Sequence, residues 1–154
     1  MKKKRILAMI LAVASCLSLA VSVSAASTAR KATDFRDFDK SAWYAEAVSA
    51  AVDNGLLYGK SATIIDPNGD MTRAEMAAII NRSFGCYVKA DISKYKDVSK
   101  DKWYFEDVAM AVQMGTYNGR SNTAMAPDAP ITRQEAMTVV ARALELDYEA
   151  YAKT

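Results

Sequence analysis

The feature that most constrains this chain is an internal repeat with a constant offset of 60 residues. Residues 37–82 align with residues 97–142 without a gap. The recurring positions include the following pairs: Asp37/Asp97, Trp43/Trp103, Tyr44/Tyr104, Glu46/Glu106, Gly55/Gly115, Gly59/Gly119, Pro67/Pro127, Thr72/Thr132, Arg73/Arg133 and Glu75/Glu135. A repeat of this size is one supersecondary unit, and such units bury their apolar faces against each other. We therefore expect two copies of one small unit packed together.

Each repeat carries two helix patterns separated by a polar loop. In the first pattern, apolar side chains recur at i, i+4, i+7 and i+8 in both repeats: Tyr44, Val48, Ala51 and Val52, then Tyr104, Val108, Ala111 and Val112. Gly55 and Gly115 follow, where a helix end favours a residue that tolerates positive φ. The second pattern opens at Thr72 or Thr132 with Thr-Arg-x-Glu. These signals predict an all-α fold of tandem helix–loop–helix repeats.

The N-terminal residues 1–25 are expected to be a signal peptide. A basic Met-Lys-Lys-Lys-Arg start precedes the apolar stretch 6–19, and small residues stand at 23–25. A retained membrane anchor is one alternative. A lipoprotein box ending at Cys16 is another, but the apolar core continues beyond it, which favours cleavage after Ala25. The remaining chain then divides into a polar lead (26–34), repeat 1 (35–85), a linker (86–94), repeat 2 (95–146) and a tail (147–154).

Cleavage would change the charge of the chain. The leader carries Lys2, Lys3, Lys4 and Arg5, so 16 of the 20 basic residues would remain against 18 acidic ones. The basic pI therefore belongs to the leader, and no nucleic-acid partner is indicated. After cleavage, no membrane partner is expected either. Cys86 would be the single remaining cysteine, so no intramolecular disulfide is possible.

Signals for catalysis or metal binding are absent from the sequence. There is no histidine, the commonest general base and neutral metal ligand. Asp66-x-Asn68-x-Asp70 resembles the start of a calcium loop, which needs Gly sixth and Glu twelfth. Met71 and Ala77 stand there instead. We expect no enzyme activity, no cofactor and no metal site.

The Thr-Arg-x-Glu motif is first of all a capping box, in which Thr and Glu each bond the other's backbone amide. It identifies four residues as structural helix caps: Thr72, Glu75, Thr132 and Glu135. Capping leaves Arg73 and Arg133 unexplained, since a cation at the first helical position opposes the helix dipole. A repeated arginine there indicates an anionic partner, which is either a bound ligand or an acidic side chain of the chain.

The repeated tryptophans and aspartates each allow two interpretations. Trp43 and Trp103 are either core residues or flat platforms against which a sugar ring stacks, because indole combines a large apolar face with a polar N–H. Asp37 and Asp97 stand six residues before each tryptophan. They either cap the incoming turn or hold the arginine.

The order Phe-x-Asp, Trp-Tyr, Gly-x-x-x-Gly, Pro, Thr-Arg-x-Glu, Arg resembles the S-layer homology (SLH) motif twice over. The resemblance covers essentially the whole mature chain. It implies a secreted protein that is anchored non-covalently in the bacterial cell wall or S-layer. SLH modules bind secondary cell-wall polymers, often pyruvylated, in grooves between adjacent repeats. Carried over by position, the implied glycan-binding residues are Arg73, Arg133, Trp43, Trp103, Asp37 and Asp97.

The resemblance also raises expectations about assembly. The family usually has three motifs in a pseudo-threefold arrangement, and the repeat interval would place a third Asp at position 157, beyond Thr154. The chain is therefore expected to be an incomplete pseudo-threefold bundle, either a fragment or a self-associating unit. Within it, Arg73 is expected to face the Asp97 and Trp103 region. The alternative function is a homotypic assembly module of the cell envelope with weak or no glycan binding.

Overall fold

The computed structural model describes residues 30–146, so the expected signal peptide and the tail 147–154 lie outside the described residues. After a short 3₁₀ helix (Ala32–Asp34), four α-helices follow within this range: α1 (Ala45–Asp53), α2 (Arg73–Phe84), α3 (Phe105–Gln113) and α4 (Arg133–Ala143). The described chain forms no sheet, only an isolated bridge between Thr72 and Pro130. None of its helices has the length and apolarity to cross a membrane. The all-α expectation of tandem helix–loop–helix repeats is confirmed.

The second helix of each repeat begins with a reciprocal capping box. Thr72 Oγ1 accepts from Glu75 N at 3.2 Å, and Glu75 Oε2 accepts from Thr72 N at 2.8 Å. Thr132 and Glu135 repeat the pair at 3.2 and 2.9 Å. Two amides that the helix cannot bond internally are thus satisfied at each start.

The first helices begin without a side-chain cap and end in a left-handed residue. Tyr44 and Tyr104 stand at the N-cap of α1 and α3 with no side-chain cap bond. Gly55 has φ of 68° and Gly115 has φ of 77°, a conformation that costs glycine little. The chain then turns into the polar loop that leads to the second helix.

The larger hydrophobic core joins the two repeats. Its members include three residues of α2, three of α3, the N-cap residue of α3 and two residues of the second loop: Ala74, Ala77, Ile80, Val108, Ala109, Ala111, Tyr104, Tyr117 and Met125. Asn81 of α2 is also buried, and its Nδ2 donates to the Asp107 carbonyl at 2.8 Å. The second helix of repeat 1 therefore packs into the core of repeat 2.

The first repeat has a smaller core of its own. Ala32, Phe35, Val52 and Ile65 form it, and Val48 packs at its edge. Val48 is only half-buried, whereas its counterpart Val108 is buried beneath α2. The asymmetry arises because, within residues 30–146, no second helix packs on α1 as α2 packs on α3.

Candidate functional site

A groove of about 480 Å³ lies between the loop of repeat 1, α2 and Trp103 of repeat 2. We call it the large groove. Its walls carry both apolar and charged side chains. They include Val48, Leu57, Tyr58, Lys60, Ile65, Asp66, Pro67, Asp70, Glu75, Ile79, Arg82 and Trp103. A second groove of about 290 Å³ lies at the corresponding place in repeat 2, and Arg73 of repeat 1 is part of its wall. Its lining includes counterparts of several large-groove residues: Tyr117, Asn118, Arg120, Glu135, Val139 and Arg142.

Both tryptophans lie at the surface, which excludes the core interpretation. Trp43 is 93 % exposed and Trp103 is 60 % exposed. Trp103 stands edge-on to Tyr104, with ring centroids 5.4 Å apart. Burial and a hydrogen bond to Asp128 raise the pKa of Tyr104 to about 12, so the tyrosine hydroxyl stays a donor to that carboxylate. A buried, hydrogen-bonded tyrosine thus supports Trp103 at the edge of the large groove, whereas Trp43 lines neither groove.

Lys60 and Glu75 form an ion pair on the groove wall. Lys60 Nζ lies 2.8 Å from Glu75 Oε1 and also donates to the Asp70 carbonyl at 2.9 Å. Partial burial alone would raise the pKa of Glu75, but hydrogen bonds from Lys60 and the Thr72 amide lower it below its usual value. The positive charge of Lys60 is therefore already matched by a carboxylate.

Arg82 is a groove cation that the sequence analysis did not assign to the site. Its Nη1 donates to the Leu56 carbonyl at 3.1 Å, and its guanidinium carbon lies 4.2 Å from the centroid of the Tyr58 ring. Within the described part of the chain it has no carboxylate partner. The signal that could have found it is its recurrence as Arg142 at the same offset of 60.

Arg73 reaches into the second repeat, but through other groups than Asp97 or Trp103. It is 5 % exposed. Its Nε donates to the Met125 carbonyl at 3.0 Å, its Nη1 to Glu135 Oε1 at 3.0 Å and its Nη2 to the Asn118 carbonyl at 3.1 Å. The guanidinium is enclosed by these acceptors, and one anionic partner of Arg73 is thus an acidic side chain of the chain itself.

Arg133 holds the same place in the motif but a different environment. Its side chain is exposed and makes no hydrogen bond or ion pair with residues 30–146. Arg73 is buried because the loop of repeat 2 packs against the start of α2. Among the described residues, no loop packs in that way against the start of α4.

Glu135 links two arginines and the cap of α4. Arg120 Nε and Arg73 Nη1 lie 3.1 and 3.0 Å from its Oε1. The hydrogen bond from Arg120, with that from the Thr132 amide and the charge of Arg73, lowers the pKa of Glu135 to about 2. This carboxylate is therefore ionised at neutral pH.

Asp37 and Asp97 hold the loops rather than an arginine. Asp37 accepts from the amides of Ile65 and Asp66 at 3.0 and 2.7 Å. Asp97 accepts from Met125 and Ala126 in the same way, at 2.9 and 2.7 Å. Asp66 and Ala126 have φ of 53° and 54°, which L-residues seldom adopt. The bond to Ile65 is the main cause that lowers the pKa of Asp37.

Residues 30–146 contain no group of three or more His, Cys, Asp or Glu side chains arranged to hold a metal ion. The carboxylates of the large groove are instead engaged with Lys60, as Glu75 is, or exposed on the loop, as Asp66 and Asp70 are. The arrangement is that of a binding surface: an aromatic face, a half-buried cation and exposed acceptors around an apolar floor.

Comparison with known proteins identifies the repeats. The family model of the S-layer homology domain matches residues 34–77 and 94–137, more than half of the chain. A surface-layer 125 kDa protein of Lysinibacillus sphaericus is 37 % identical over 116 residues, which are 73 % of this chain and 10 % of that protein. An endoglucanase of Bacillus sp. strain KSM-635 is 26 % identical over 145 residues, 92 % of this chain and 15 % of the relative.

A cell surface protein of Thermoanaerobacter kivui is 28 % identical over 140 residues, 88 % of this chain and 18 % of that protein. The chain thus spans less than a fifth of the length of these relatives. SLH domains are non-catalytic anchoring modules, and proteins that carry them lie at the bacterial cell wall or in the S-layer. With two SLH repeats on one helical fold, this secreted chain belongs to the S-layer homology family.

Proposed function

We propose that this chain anchors non-covalently to the cell wall by binding an anionic, pyruvylated type of secondary cell-wall polysaccharide in the large groove. One observation carries the proposal. The exposed Trp103 of repeat 2 lines the same groove as the half-buried Arg82 of repeat 1, which has no carboxylate partner in the described chain. A binding site is thereby built from both repeats.

The groove offers a separate contact for each part of such a glycan. The face of Trp103 packs against the apolar face of a pyranose ring. The remaining N–H groups of Arg82 fit the carboxylate of a pyruvyl ketal, because a guanidinium can donate two parallel bonds to one carboxylate. Asp66 and Asp70, both exposed, accept hydrogen bonds from sugar hydroxyls.

The balance of charge favours a sugar with one carboxylate over a polyphosphate. Lys60 is matched by Glu75, which leaves Arg82 as the cation available to a ligand and Asp66 and Asp70 as nearby anions. A chain of phosphates would be repelled by both aspartates. A largely neutral glycan that carries a single carboxylate places its charge on Arg82 and its hydroxyls on the aspartates.

The other residues that the family resemblance singled out take different parts in this proposal. Arg73, Asp37 and Asp97 are positioning residues, since Arg73 joins the repeats and the aspartates hold the loops. Trp43 and Arg133 lie outside the large groove. Their direct contact with glycan stays a prediction from the sequence, and the experiment below tests it for Trp43.

The test is sedimentation of the purified protein with cell walls whose secondary polymers are intact, stripped of polymer, or freed of pyruvate by mild acid. We expect Trp103→Ala and Arg82→Gln each to weaken binding to intact walls by about 10- to 100-fold. For Arg82→Gln, that loss matches the roughly 1.5–3 kcal/mol of hydrogen bonds to a charged group. Circular dichroism of both variants should match that of the unmodified protein.

Two variants serve as matched controls. Trp43→Ala removes an indole that is more exposed than Trp103 but lies outside the groove, and Arg142→Gln removes the counterpart of Arg82 in the second groove, which no tryptophan lines. Both should bind walls as the unmodified protein does. Equal binding to stripped walls would contradict a polymer ligand, and unchanged binding to depyruvylated walls would contradict the carboxylate contact. A loss in Trp43→Ala that equals the loss in Trp103→Ala would show that the large groove is not the site.

A further inference from the structure

At the start of α2, the contact between the two repeats includes a short backbone pairing and the side chain of Arg73. Arg73 N donates to the Ala129 carbonyl at 3.0 Å and Ala74 N donates to Pro127 at 2.9 Å, while Ile131 N donates back to Met71 at 2.9 Å. The guanidinium of Arg73 extends this pairing to Glu135 and the Met125 carbonyl. The start of α2 is therefore a plug, and the second loop with Glu135 is the socket that receives it.

The constant offset of 60 residues gives the chain a second socket. Counting back from the acceptors of Arg73 and Ala74 leads to Glu75 and to four carbonyls. The Tyr58 carbonyl, the counterpart of Asn118, already accepts from Arg30 Nη1 at 3.2 Å. The other three are the carbonyls of Ile65, Pro67 and Gly69. Within residues 30–146 none of these three carbonyls accepts a hydrogen bond. Glu75 carries one cation, Lys60, whereas Glu135 carries two arginines. We call this set the first-repeat socket.

The same offset gives the chain a second plug at the start of α4. Arg133 and Gln134 are the counterparts of Arg73 and Ala74, and their backbone amides donate to no acceptor in residues 30–146. The guanidinium of Arg133 is exposed. The Arg133 guanidinium and the two amides are the counterparts of donors in the first contact, and Glu75 with the carbonyls of Ile65, Pro67 and Gly69 are the counterparts of its acceptors.

The helix faces behind plug and socket fit each other as well. Between α2 and α3, Asn81 of one repeat bonds Asp107 of the other. The counterparts of this polar pair are Ala141 on α4 and Ala47 on α1, so the polar pair is replaced on both sides at once. Val48 of α1 is half-buried, and Met137 of α4 is 62 % exposed where its counterpart Ala77 is fully buried. The exposed faces of α1 and α4 both carry apolar side chains. Because Ala47 and Ala141 replace the polar pair, neither helix brings a polar group without a partner to this contact.

We propose that copies of this chain associate head to tail, with Arg133 and Gln134 of one copy seated in the first-repeat socket of the next. The interface repeats the contact that already joins the two repeats within one chain. Arg133 binds Glu75 and the Ile65 carbonyl, and the amides of Arg133 and Gln134 bind Gly69 and Pro67. Such an interface is heterologous, so it forms a ring where the rotation closes and a filament where it does not. It requires no glycan.

The test is the molar mass of the purified protein by light scattering after size exclusion, over a hundredfold range of concentration. We expect the measured molar mass to exceed that of one chain and to rise as the protein concentration rises. Arg133→Glu removes the cation of the plug. Asp70→Arg places a cation at the edge of the socket, because Asp70 is the counterpart of Pro130, which pairs with Thr72, and would therefore pair with Thr132 of the next copy. Each variant alone should stay monomeric with an unchanged circular-dichroism spectrum. Arg36→Glu, the same charge change at an exposed arginine outside the socket, should associate as the unmodified protein does.

A mixture of the two monomeric variants decides between a head-to-tail interface and a symmetric one. Arg133→Glu keeps an intact socket and Asp70→Arg keeps an intact plug, so an equimolar mixture should form a dimer of one copy of each and stop there. A protein that remains monomeric at the highest concentration would overturn the proposal. So would association that survives Arg133→Glu, or a mixture in which no dimer appears.

Discussion

At the scale of single residues, identical motifs have different roles because different groups pack against them. The sequence predicts that Thr72 and Thr132 cap helices, since a capping box depends on four neighbouring residues. It does not predict that Arg73 is buried and Arg133 exposed, because the partners of Arg73 lie 45 to 62 residues further along the chain. Local pattern therefore indicated an anionic partner for Arg73 but did not identify that partner as Glu135.

The two arginines supply a stability prediction with an internal control. Arg73→Ala leaves Glu135 without one of its cations and two loop carbonyls without their donor. We expect the free energy of unfolding to fall by about 3–5 kcal/mol, as when one partner of a buried ion pair is removed. Arg133 occupies the same position in the second motif but is exposed. Arg133→Ala should therefore change the free energy of unfolding by less than about 0.5 kcal/mol at a concentration where the protein is monomeric. Chemical denaturation followed by circular dichroism measures both, and equal losses would contradict the assigned role of Arg73.

Glu135 supplies a prediction about pH. Its pKa is about 2 in the folded chain and near 4.5 when unfolded. The folded state therefore binds this proton less readily, so the contribution of Glu135 to stability is complete above about pH 5 and declines as pH falls from there towards 2. Thermal melts from pH 7 to pH 3 should show the melting temperature falling. Glu135→Gln should lower the melting temperature at pH 7 and make it depend less on pH. Glu106 forms an exposed ion pair with Lys89, so Glu106→Gln should leave the pH dependence of the melting temperature unchanged.

At the scale of helices and loops, the sequence predicted the helices well and the loops poorly. The apolar spacing from Tyr44 to Val52 placed α1 within one residue of its observed bounds. The loops depend on Asp37 and Asp97, whose carboxylates hold left-handed residues almost 30 positions away. One of these is Ala126, which carries no turn signal of its own, and so the loop geometry could not be predicted from local composition.

The capping boxes give a prediction for whole helices. Thr72→Ala and Thr132→Ala each remove the side-chain acceptor of the Glu75 or Glu135 amide. We expect each substitution to lower the free energy of unfolding by about 0.5–2 kcal/mol, the usual cost of losing an N-cap. Thr72→Ala should lie nearer the upper end, because Thr72 is half-buried at the contact between the repeats and Thr132 is exposed. Melts that do not move, with helix content unchanged, would show that these threonines do not stabilise the helix starts.

At the scale of the molecule, the repeat predicted that two units pack together but not which helix joins them. The core shows that α2 completes the second repeat, so the site between the repeats combines the loop of one with the tryptophan of the other. The repeated motif indicated Trp103 as a candidate site residue but did not indicate Arg82. A helical arginine gives no local sign of its role, and its place in the groove depends on how α2 lies against the first loop.

The bonds from Asp37 to Ile65 and Asp66 have a consequence for the thermodynamics of ligand binding. They hold the loop of the large groove in its bent form before any glycan arrives, so little backbone freedom remains to be lost on binding. Recognition in such a groove depends on fit to an existing shape. Asp37→Ala should therefore weaken the affinity for walls mainly through a more unfavourable entropy, with the enthalpy of the Trp103 and Arg82 contacts largely retained. Isothermal titration calorimetry with soluble polymer fragments would measure the enthalpy and the entropy of binding separately.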